Sequence, residues 1–230
     1  MLMKKIVVFT GAGISAESGL STFRDHGGLW DEFPIEEVAT INAWINNPKK
    51  VIDFYNLRRK NCLNAQPNMA HQNIKKLEKK FNVQIITQNI DDLHERAGSQ
   101  NVLHLHGELK KVRSTVNPDL IYDLDGWELK EEYTCEEGSK LRPHIVWFGE
   151  AVPNIKLASE ITSEADILII VGTSLNVYPA AGLYDFIKST TRVYLLDPKN
   201  IDSKGIRNLT IIKSNATKAL PQLVKELLAE

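Results

Sequence analysis

The C-terminal half of the chain alternates short apolar runs with amphipathic stretches, and this alternation restricts the possible folds more than any other feature. The apolar runs have the length and β-branched content of buried strands, and the stretches between them carry apolar residues at helical spacing. The predicted strands cover residues 145–148, 167–171, 192–196 and 209–212, and the predicted helices cover residues 155–163, 178–189 and 217–228. Strands that alternate with helices form a parallel sheet. We therefore predict an α/β protein with a Rossmann-like, doubly wound parallel sheet.

The N-terminal half adds predicted strands at residues 5–10, 83–87 and 102–106, but two of its segments fit the alternation poorly. Residues 34–80 read as three helices (34–45, 48–63 and 68–80), and residues 107–143 are rich in charge and turn residues. We predict that this helical module and this insert form a smaller second domain. The large domain then consists of residues 1–33, 81–106 and 144–230. Ligands of such folds bind beyond the carboxyl ends of the strands, so the cleft between the domains is the expected site.

Composition excludes several functional classes. The chain has 28 lysine and arginine residues against 29 aspartate and glutamate residues, so no excess of positive charge favours nucleic acid. Its apolar runs are far shorter than the roughly 20 residues that cross a bilayer, so no membrane partner is expected. The two cysteines, Cys62 and Cys135, are too few for a disulfide framework or a four-cysteine zinc site. We expect a cytoplasmic monomer.

A glycine-rich segment, residues 11–16, directly follows the first predicted strand. It matches G-x-G-x-x-A, in which glycines let backbone N–H groups approach a pyrophosphate, although such glycines can also make only a tight turn. Gly172-Thr173-Ser174 repeats the arrangement after a later strand. The acidic residue that a hydride-transfer dehydrogenase places about 20 positions on is missing, because Glu36 and Glu37 lie in a helical pattern. The motif favours a nucleotide site other than that of a dehydrogenase.

Polar side chains concentrate after the next two predicted strands. Residues 87–92 read Thr-Gln-Asn-Ile-Asp-Asp, and capping of the following helix by Asp91 or Asp92 accounts for one residue only. His104 and His106 alternate on a predicted strand and so share a face. No third ligand stands at a metal-binding spacing, so we predict no metal there. His106, at the end of its strand, is the better candidate for a general base.

An arginine stands in a mostly apolar helical stripe of residues 48–63. Val51, Tyr55, Arg58 and Cys62 share one face of the predicted helix. Arg58 can be a snorkelling surface residue. Alternatively, its guanidinium and the Tyr55 phenol, three residues apart, form a binding site for an anion.

Taken together, these segments resemble the sirtuin family of NAD-dependent protein-lysine deacylases, and specifically its class III branch of desuccinylases and demalonylases. The segments that carry the resemblance, in the family's order, are residues 11–19, 22–24, 87–91, 105–107, 146–150 and 172–174. The resemblance implies an enzyme that consumes NAD and removes acyl groups from lysines of protein substrates: acidic groups such as succinyl and malonyl, and also acetyl. Its products are free lysine, nicotinamide and O-acyl-ADP-ribose.

The resemblance also implies roles for individual residues. In the family's chemistry the acyl oxygen displaces nicotinamide from the ribose, and His106 then activates a ribose hydroxyl that attacks the resulting imidate. Asn89 and Asp91 complete the implied catalytic set, and Phe23 shields the reacting centre. The implied cofactor-binding residues are Gly11, Ala12, Gly13, Ser15, Phe23, Arg24, Gln88, Asn89, Ile90, Asp91, Gly172, Thr173, Ser174 and Ala216.

The implied substrate site has two parts. One part pairs with the substrate backbone as an added strand, and the other, the Tyr-x-x-Arg of Tyr55 and Arg58, binds the carboxylate at the end of a succinyl or malonyl chain. Ala16 fits the same branch. The full set is Ala16, Tyr55, Arg58, Phe148, Gly149, Glu150 and Val177.

One departure from the family pattern is large. Many members have two C-x-x-C pairs that hold structural zinc, whereas this chain has Ser114, Asn117, Cys135 and Gly138 at those places. Only one of the four cysteines is present, so we predict a small domain without zinc. We expect its interior to be filled by Tyr122, Leu124, Trp127 and Tyr133.

Two other functions fit the same fold. A protein ADP-ribosyltransferase would leave ADP-ribose on an acceptor protein. A non-catalytic sensor of NAD or ADP-ribose would bind without turnover. The set Asn89, Asp91 and His106 argues against the sensor, because a protein that only binds does not need the base.

Overall fold

The structure, a computed structural model, describes residues 3–22 and 28–230. Its strands are β1 (Lys5–Thr10), β2 (Asn82–Thr87), β3 (Val102–His104), β4 (Gly107–Ser114), β5 (Ile121–Asp123), β6 (Leu141–Ile145), β7 (Ile167–Val171), β8 (Arg192–Leu196) and β9 (Leu209–Ile212). Its α-helices are α1 (Leu29–Glu32), α2 (Ile35–Val38), α3 (Ile41–Asn46), α4 (Pro48–Asn64), α5 (Met69–Leu77), α6 (Leu93–Arg96), α7 (Ile155–Ser163) and α8 (Ala216–Ala229). Short 3₁₀ turns cover Ala12–Ile14, Ala16–Ser18 and Ala180–Phe186.

The core is a six-stranded parallel sheet in the order β3-β2-β1-β7-β8-β9. Apolar clusters cover both of its faces, as a parallel sheet requires. α5 and α8 pack on one face, and α7 with the 3₁₀ turn Ala180–Phe186 packs on the other. The predicted α/β fold with a Rossmann-like sheet is confirmed. The strand order reverses between β1 and β7, and in such sheets the crevice at that point binds ligands.

Two predicted strands differ from the structure. The strand predicted to reach His106 ends at His104, and the chain then turns into β4 at Gly107, whose φ is +83°. A Cβ at Gly107 would lie 2.0 Å from the His144 oxygen, so only glycine fits this turn. Residues 145–148 do not form a strand of the parallel sheet. Instead β6 ends at Ile145 and pairs with β4 in a separate antiparallel sheet, ordered β5-β4-β6.

The helical block and the antiparallel sheet are joined through α4. Asn56 exchanges two 2.9 Å hydrogen bonds with the backbone of Leu129. The buried Arg59 side chain donates to the carbonyl oxygens of Leu109 and Trp127. These bonds satisfy loop carbonyls that would otherwise be buried without partners.

Two predicted helices have different forms. The stretch 34–45 is divided into α2 and α3, because Thr40 leaves the helical conformation and its hydroxyl caps α3 by accepting from the Ala43 N–H. The stretch 178–189 is a 3₁₀ turn over Ala180–Phe186 rather than an α-helix.

The interior of the antiparallel sheet differs from the prediction. Val112, Leu129, Cys135 and Leu141 form its buried cluster, together with Ile52 of α4. Tyr122 and Leu124 pack against the cluster, as expected. Trp127 and Tyr133 are each 39% exposed, so their predicted place in the interior is wrong. The Trp127 ring instead stacks with the Lys60 ammonium at 5.4 Å, which keeps it at the surface.

A hydrogen-bonded cluster lies where the family's zinc cysteines would stand. The hydroxyls of Ser114 and Ser139 are 2.6 Å apart, and the Cys135 sulfur lies 3.0 Å from the Ser139 hydroxyl. Ser114 also accepts the N–H groups of Val116 and Asn117. Within residues 3–22 and 28–230, no three His, Cys, Asp or Glu side chains are grouped to hold a metal ion. No helix in these ranges is long and apolar enough to cross a membrane.

Candidate active site

A cavity of about 410 Å³ opens beyond the carboxyl ends of β1, β2, β7 and β8, and α4 and the segment after β6 line its other side. It brings together most of the residues that the sequence singled out. The predicted site residues in its lining are Ala12, Gly13, Ala16, Tyr55, Arg58, Gln88, Asn89, Ile90, His106, Phe148, Gly149, Glu150, Gly172, Thr173, Ser174, Val177 and Ala216.

Two glycine-containing loops form one wall of the cavity and pack backbone against backbone. Gly11 N–H donates to the Val171 oxygen at 3.1 Å, and Gly13 N–H donates to the Gly172 oxygen at 2.8 Å. A Cβ at Gly172 would lie 2.3 Å from the Ile14 nitrogen. The glycines are therefore needed for close packing of the loops. The N–H groups of Gly11 and Gly13 bond within the protein, contrary to the interpretation that they face a pyrophosphate.

Gln88 lines the cavity, and its amide is held in one orientation. The Thr173 hydroxyl donates to Gln88 Oε1 at 2.9 Å, which fixes the amide orientation. Gln88 Nε2 is buried and has no acceptor among the described residues. A buried amide nitrogen that lacks a partner is costly, and a polar ligand in the cavity would supply one. This group, together with the close-packed glycine loops, fits a dinucleotide.

Behind the cavity wall, a short chain of hydrogen bonds joins Asn89 to Asp91 through Ser15. Asn89 Nδ2 donates to Ser15 Oγ at 3.1 Å, and Ser15 Oγ donates to Asp91 Oδ2 at 3.1 Å. Asp91 also accepts the Leu93 N–H at the start of α6, so it has a capping role as well. Burial raises the pKa of Asp91. Ser15 and Asp91 line a smaller adjoining cavity, which they share with Arg58.

His106 has the hydrogen-bond arrangement of a general base. Its Nδ1 lies 3.1 Å from the Gln88 carbonyl oxygen, and because a carbonyl only accepts, Nδ1 carries the proton. In the neutral ring Nε2 is then an acceptor. Burial lowers the pKa of His106, which favours the neutral form at neutral pH.

His104 has a different environment from His106, although the sequence predicted a shared face. Its Nδ1 bonds to the Asn89 carbonyl oxygen and its Nε2 to Glu95, both at 2.8 Å. Burial alone would lower the pKa of His104, but the hydrogen bond and charge of Glu95, together with the bond to the Asn89 carbonyl, outweigh it and the pKa is raised. His104 therefore supports the Asn89 backbone from behind.

Tyr55 and Arg58 line the part of the cavity next to α4. Tyr55 is buried and its hydroxyl oxygen accepts from Trp147 Nε1 at 3.1 Å. Burial raises the pKa of Tyr55 to about 12, so the phenol keeps its proton at neutral pH. The Arg58 guanidinium lies 5.7 Å from the Phe54 ring centroid and 5.9 Å from that of Tyr55. Burial lowers the pKa of Arg58, and the nearby Asp91 carboxylate opposes this shift.

The segment 148–150 is held from both sides. The Phe148 N–H donates to the Ala39 oxygen at 2.9 Å, and the Glu150 N–H donates to the Trp147 oxygen at 3.0 Å. The Glu150 carboxylate accepts two bonds from Arg142, at 2.8 and 3.0 Å. Burial acts to raise the pKa of Glu150, but the bonds from Arg142 and the Trp147 N–H, together with the charges of Arg142 and Arg113, outweigh it and the pKa is lowered. The Glu150 side chain is thus committed to an internal ion pair.

Comparison with known proteins identifies the family. The profile of the Sir2 family matches residues 11–179. The chain belongs to the Sir2 family. It is 51% identical, over 98% of both chains, to a protein of Bacteroides thetaiotaomicron named NAD-dependent protein deacylase.

Solved structures of Sir2 homologues agree closely with this Sir2 fold. A complex of a Sir2 homologue mutant with ADP-ribose superposes with a TM-score of 0.90 at 38% identity and covers 99% of this chain and 93% of its own. A complex of a Sir2 homologue with NAD gives a TM-score of 0.87 at 37% identity and covers 99% and 90%. The resemblance to sirtuins that the motifs indicated is confirmed.

Some predicted site residues of this Sir2 family chain lie outside the cavity lining. Phe23 and Arg24 lie outside the described residues. Gly11 packs against Thr173, and Ser15 and Asp91 reach Asn89 from the adjoining cavity. The sequence assigned no role to several residues that do line the cavity: Glu17, Trp30, Trp147, Asp197, Lys199 and Asn215. Asp197 and Lys199 directly follow β8, so their position at the carboxyl edge of the sheet was the signal that could have found them.

Proposed function

We propose that this Sir2 family chain is an NAD-dependent protein-lysine deacylase. It transfers the acyl group of a modified lysine to ADP-ribose and releases nicotinamide and free lysine. The observation that supports the proposal is the shared cavity, whose lining brings together His106 with its acceptor Nε2, the Gln88 amide, and the side chains of Tyr55 and Arg58. The curated relative at 51% identity bears the same function in its name.

NAD supplies the ADP-ribose that accepts the acyl group. We assign the wall made by Gly13, Gly172, Thr173 and Ser174 to its phosphates and adenine ribose, because these residues line the cavity at the carboxyl edge of the sheet. The Gly13 N–H bonds to Gly172 and is not one of the donors to the phosphates. The other proposed contacts are Gly11, Ala12, Ser15, Phe23, Arg24, Ile90, Asp91 and Ala216. Gln88 and Asn89 are assigned to the nicotinamide ribose. The Gln88 Nε2 donor that lacks an acceptor within the described residues supports this placement.

His106 takes the proton of the ribose hydroxyl that attacks the acyl carbon. Its Nδ1 is held by the Gln88 oxygen, so Nε2 is the atom that accepts the proton. Asn89 and Asp91 are positioned for catalysis through Ser15, and His104 holds the Asn89 carbonyl. A chain of bonds of this kind fixes the reacting groups before substrate arrives.

The acyl pocket favours acidic chains such as succinyl and malonyl, which is the preference of the class III branch. Arg58 can give a charge-assisted bond to a carboxylate, and the Tyr55 hydroxyl can give a second. An acetyl group offers no partner to either side chain. We propose Ala16 as part of the same pocket, and Phe148, Gly149, Glu150 and Val177 as the edge on which the substrate backbone pairs.

Several broader features belong to the same proposal. The large domain is assigned residues 1–33, 81–106 and 144–230, and the small domain residues 34–80 and 107–143. The small domain holds no zinc, since a hydrogen-bonded cluster of Ser114, Ser139 and Cys135 takes the place of the metal. The chain works as a monomer in the cytoplasm on acylated protein substrates.

One reaction tests the deacylase assignment. An acyl-lysine peptide is incubated with NAD and the full chain, and free lysine peptide, nicotinamide and O-acyl-ADP-ribose are measured together by mass spectrometry. We expect equal amounts of all three. Label from NAD that stays on the peptide would indicate ADP-ribosyl transfer. NAD binding without any product would indicate a sensor.

A further inference from the structure

Trp147 lies at the acyl side of the cavity and directly contacts the pocket. Its side chain is only 2% exposed, and its Nε1 lies 3.1 Å from the Tyr55 hydroxyl oxygen. An indole N–H can only donate. The Tyr55 oxygen is therefore the acceptor in this bond, and the direction of the bond is fixed by chemistry.

The direction of this bond determines what Tyr55 can offer a ligand. A phenol has one proton, and with Trp147 donating to the oxygen, that proton points away from Trp147. Tyr55 lines the cavity beside Arg58. The hydroxyl thus keeps its proton to donate to another group, and it stays protonated because burial raises its pKa to about 12.

The indole is itself held in place on several sides. The Arg142 guanidinium lies 3.4 Å from the Trp147 ring centroid. Arg142 in turn bonds both oxygens of Glu150, and Glu150 accepts the backbone N–H of Trp147 at 2.8 Å. Trp44 packs against the indole with ring centroids 5.7 Å apart. A cation over the ring face also draws electron density from the indole, which strengthens its N–H as a donor.

We propose that Trp147 is a positioning residue for acyl selectivity, because its N–H fixes the Tyr55 hydroxyl as a donor towards the acyl chain. This inference rests on the proposed preference for acidic acyl groups. With Arg58, the Tyr55 hydroxyl then gives the acyl pocket two side-chain donors. An ionised carboxylate accepts hydrogen bonds and donates none, so it matches such a pocket, whereas the methyl group of acetyl does not.

The first test is Trp147→Phe in the full chain, assayed with succinyl and acetyl forms of one peptide. We expect KM for the succinyl peptide to rise about fivefold, as for loss of one orienting hydrogen bond, with kcat and the acetyl kinetics little changed. In a Tyr55→Phe background the same substitution should have no further effect on the succinyl-to-acetyl ratio, because the hydroxyl that it orients is gone.

Two further variants separate the hydrogen bond from packing. Phenylalanine leaves a void at this buried position, so a second protein carries benzothienylalanine at position 147, which keeps the ring shape and replaces N–H by sulfur. It should reproduce the change in ratio. As the matched control, Trp127→Phe changes an exposed indole that lies outside the cavity lining, and it should leave the ratio unchanged.

The outcomes separate this inference from the proposed function. Equal losses on both peptides, or an additive loss in the Tyr55→Phe background, would overturn the role of Trp147. If the wild type prefers succinyl and both position-147 variants keep the same succinyl-to-acetyl ratio, only the role of Trp147 is overturned. A wild-type protein without any preference for succinyl would overturn the acidic-acyl pocket itself, and the role of Trp147 with it.

Discussion

At the carboxyl edge of the parallel sheet the cavity wall is made of backbone packed on backbone, whereas on the α4 side it is made of side chains. Gly13 and Gly172 meet through a 2.8 Å backbone hydrogen bond, and neither can carry a Cβ without a clash. Tyr55, Arg58 and Trp147 form the other wall through their side-chain groups. The shape of a backbone wall is set by the fold and changes little with the side chains. A side-chain wall can change its chemistry by one substitution, so we expect selectivity to reside there.

The largest effect should come from His106, which lines the same cavity as both walls. His106→Gln keeps the size of the side chain but removes the base, so we expect deacylation to fall by about 10²- to 10⁴-fold. Binding of NAD should change little. Single-turnover assays with an acyl peptide measure the deacylation rate, and calorimetry measures the affinity for NAD.

A second histidine provides the control for that measurement. His144 is half-buried and lies outside the cavity lining, so His144→Gln should keep activity within about twofold, as is typical of substitutions away from a site. Near wild-type turnover by His106→Gln would refute the role of His106 as the base.

The backbone wall can be tested through protein stability. Gly172→Ala places a Cβ 2.3 Å from the Ile14 nitrogen at a residue with φ of +67°, so strain and overpacking act together. We expect the free energy of unfolding to fall by about 3 kcal/mol or more. Gly138 has a similar φ of +78° but nothing within 4 Å, so Gly138→Ala should cost only about 1 kcal/mol. Urea denaturation measures both variants. Equal decreases in the free energy of unfolding for Gly172→Ala and Gly138→Ala would show that the two loops can move apart to accept the Cβ.

A smaller effect is expected from the cluster that we place in the position of zinc. Ser139→Ala removes the contacts to Ser114 and Cys135 and should lower the free energy of unfolding by about 1–2 kcal/mol. The exposed Ser163→Ala is the control. Metal analysis should find no zinc, and a chelator should leave Tm unchanged. One zinc ion per chain would contradict this part of the account.

The smallest effect at neutral pH concerns the protonation of His106. The neutral ring is the active form, so activity falls as the pH drops through the pKa of the group. Burial lowers this pKa, so the midpoint of the acid limb should lie below the ordinary histidine value of 6.5. Profiles of kcat/KM against pH measure it. A midpoint at or above 6.5 would mean that another group controls the limb.

The sequence predicted the parallel sheet well because its central strands, β1 and β7, are buried on both faces. Residues 5–10, 167–171, 192–196 and 209–212 agree with β1, β7, β8 and β9, whose apolar runs end at turns. The predictions are wrong where contacts between residues distant in sequence, rather than the local sequence pattern, determine the structure. The strand to His106 was extended by two residues because the turn depends on the close contact of Gly107 with His144, which is distant in sequence.

The small domain and its site residues were harder to predict for the same physical reason. β4 and β6 pair through tertiary contacts, and residues 107–143 show only weak periodicity. Trp127 was expected inside because it is large and apolar, but the cation of Lys60 stabilises it at the surface. Motif spacing found Tyr55 and Arg58. It gave no role to Trp147, whose contact with Tyr55 joins residues 92 positions apart.

We propose that the side-chain wall selects acidic acyl groups through Arg58. To test this, kcat/KM of wild type and Arg58→Ala is compared on succinyl and acetyl forms of one peptide with NAD. Arg58→Lys shows how much succinyl activity remains when the positive charge is kept but the guanidinium is not. We predict that Arg58→Ala loses about a hundredfold on the succinyl peptide, as for a charge-assisted pair, and keeps most of its acetyl activity. Equal losses on the two peptides would contradict the claim.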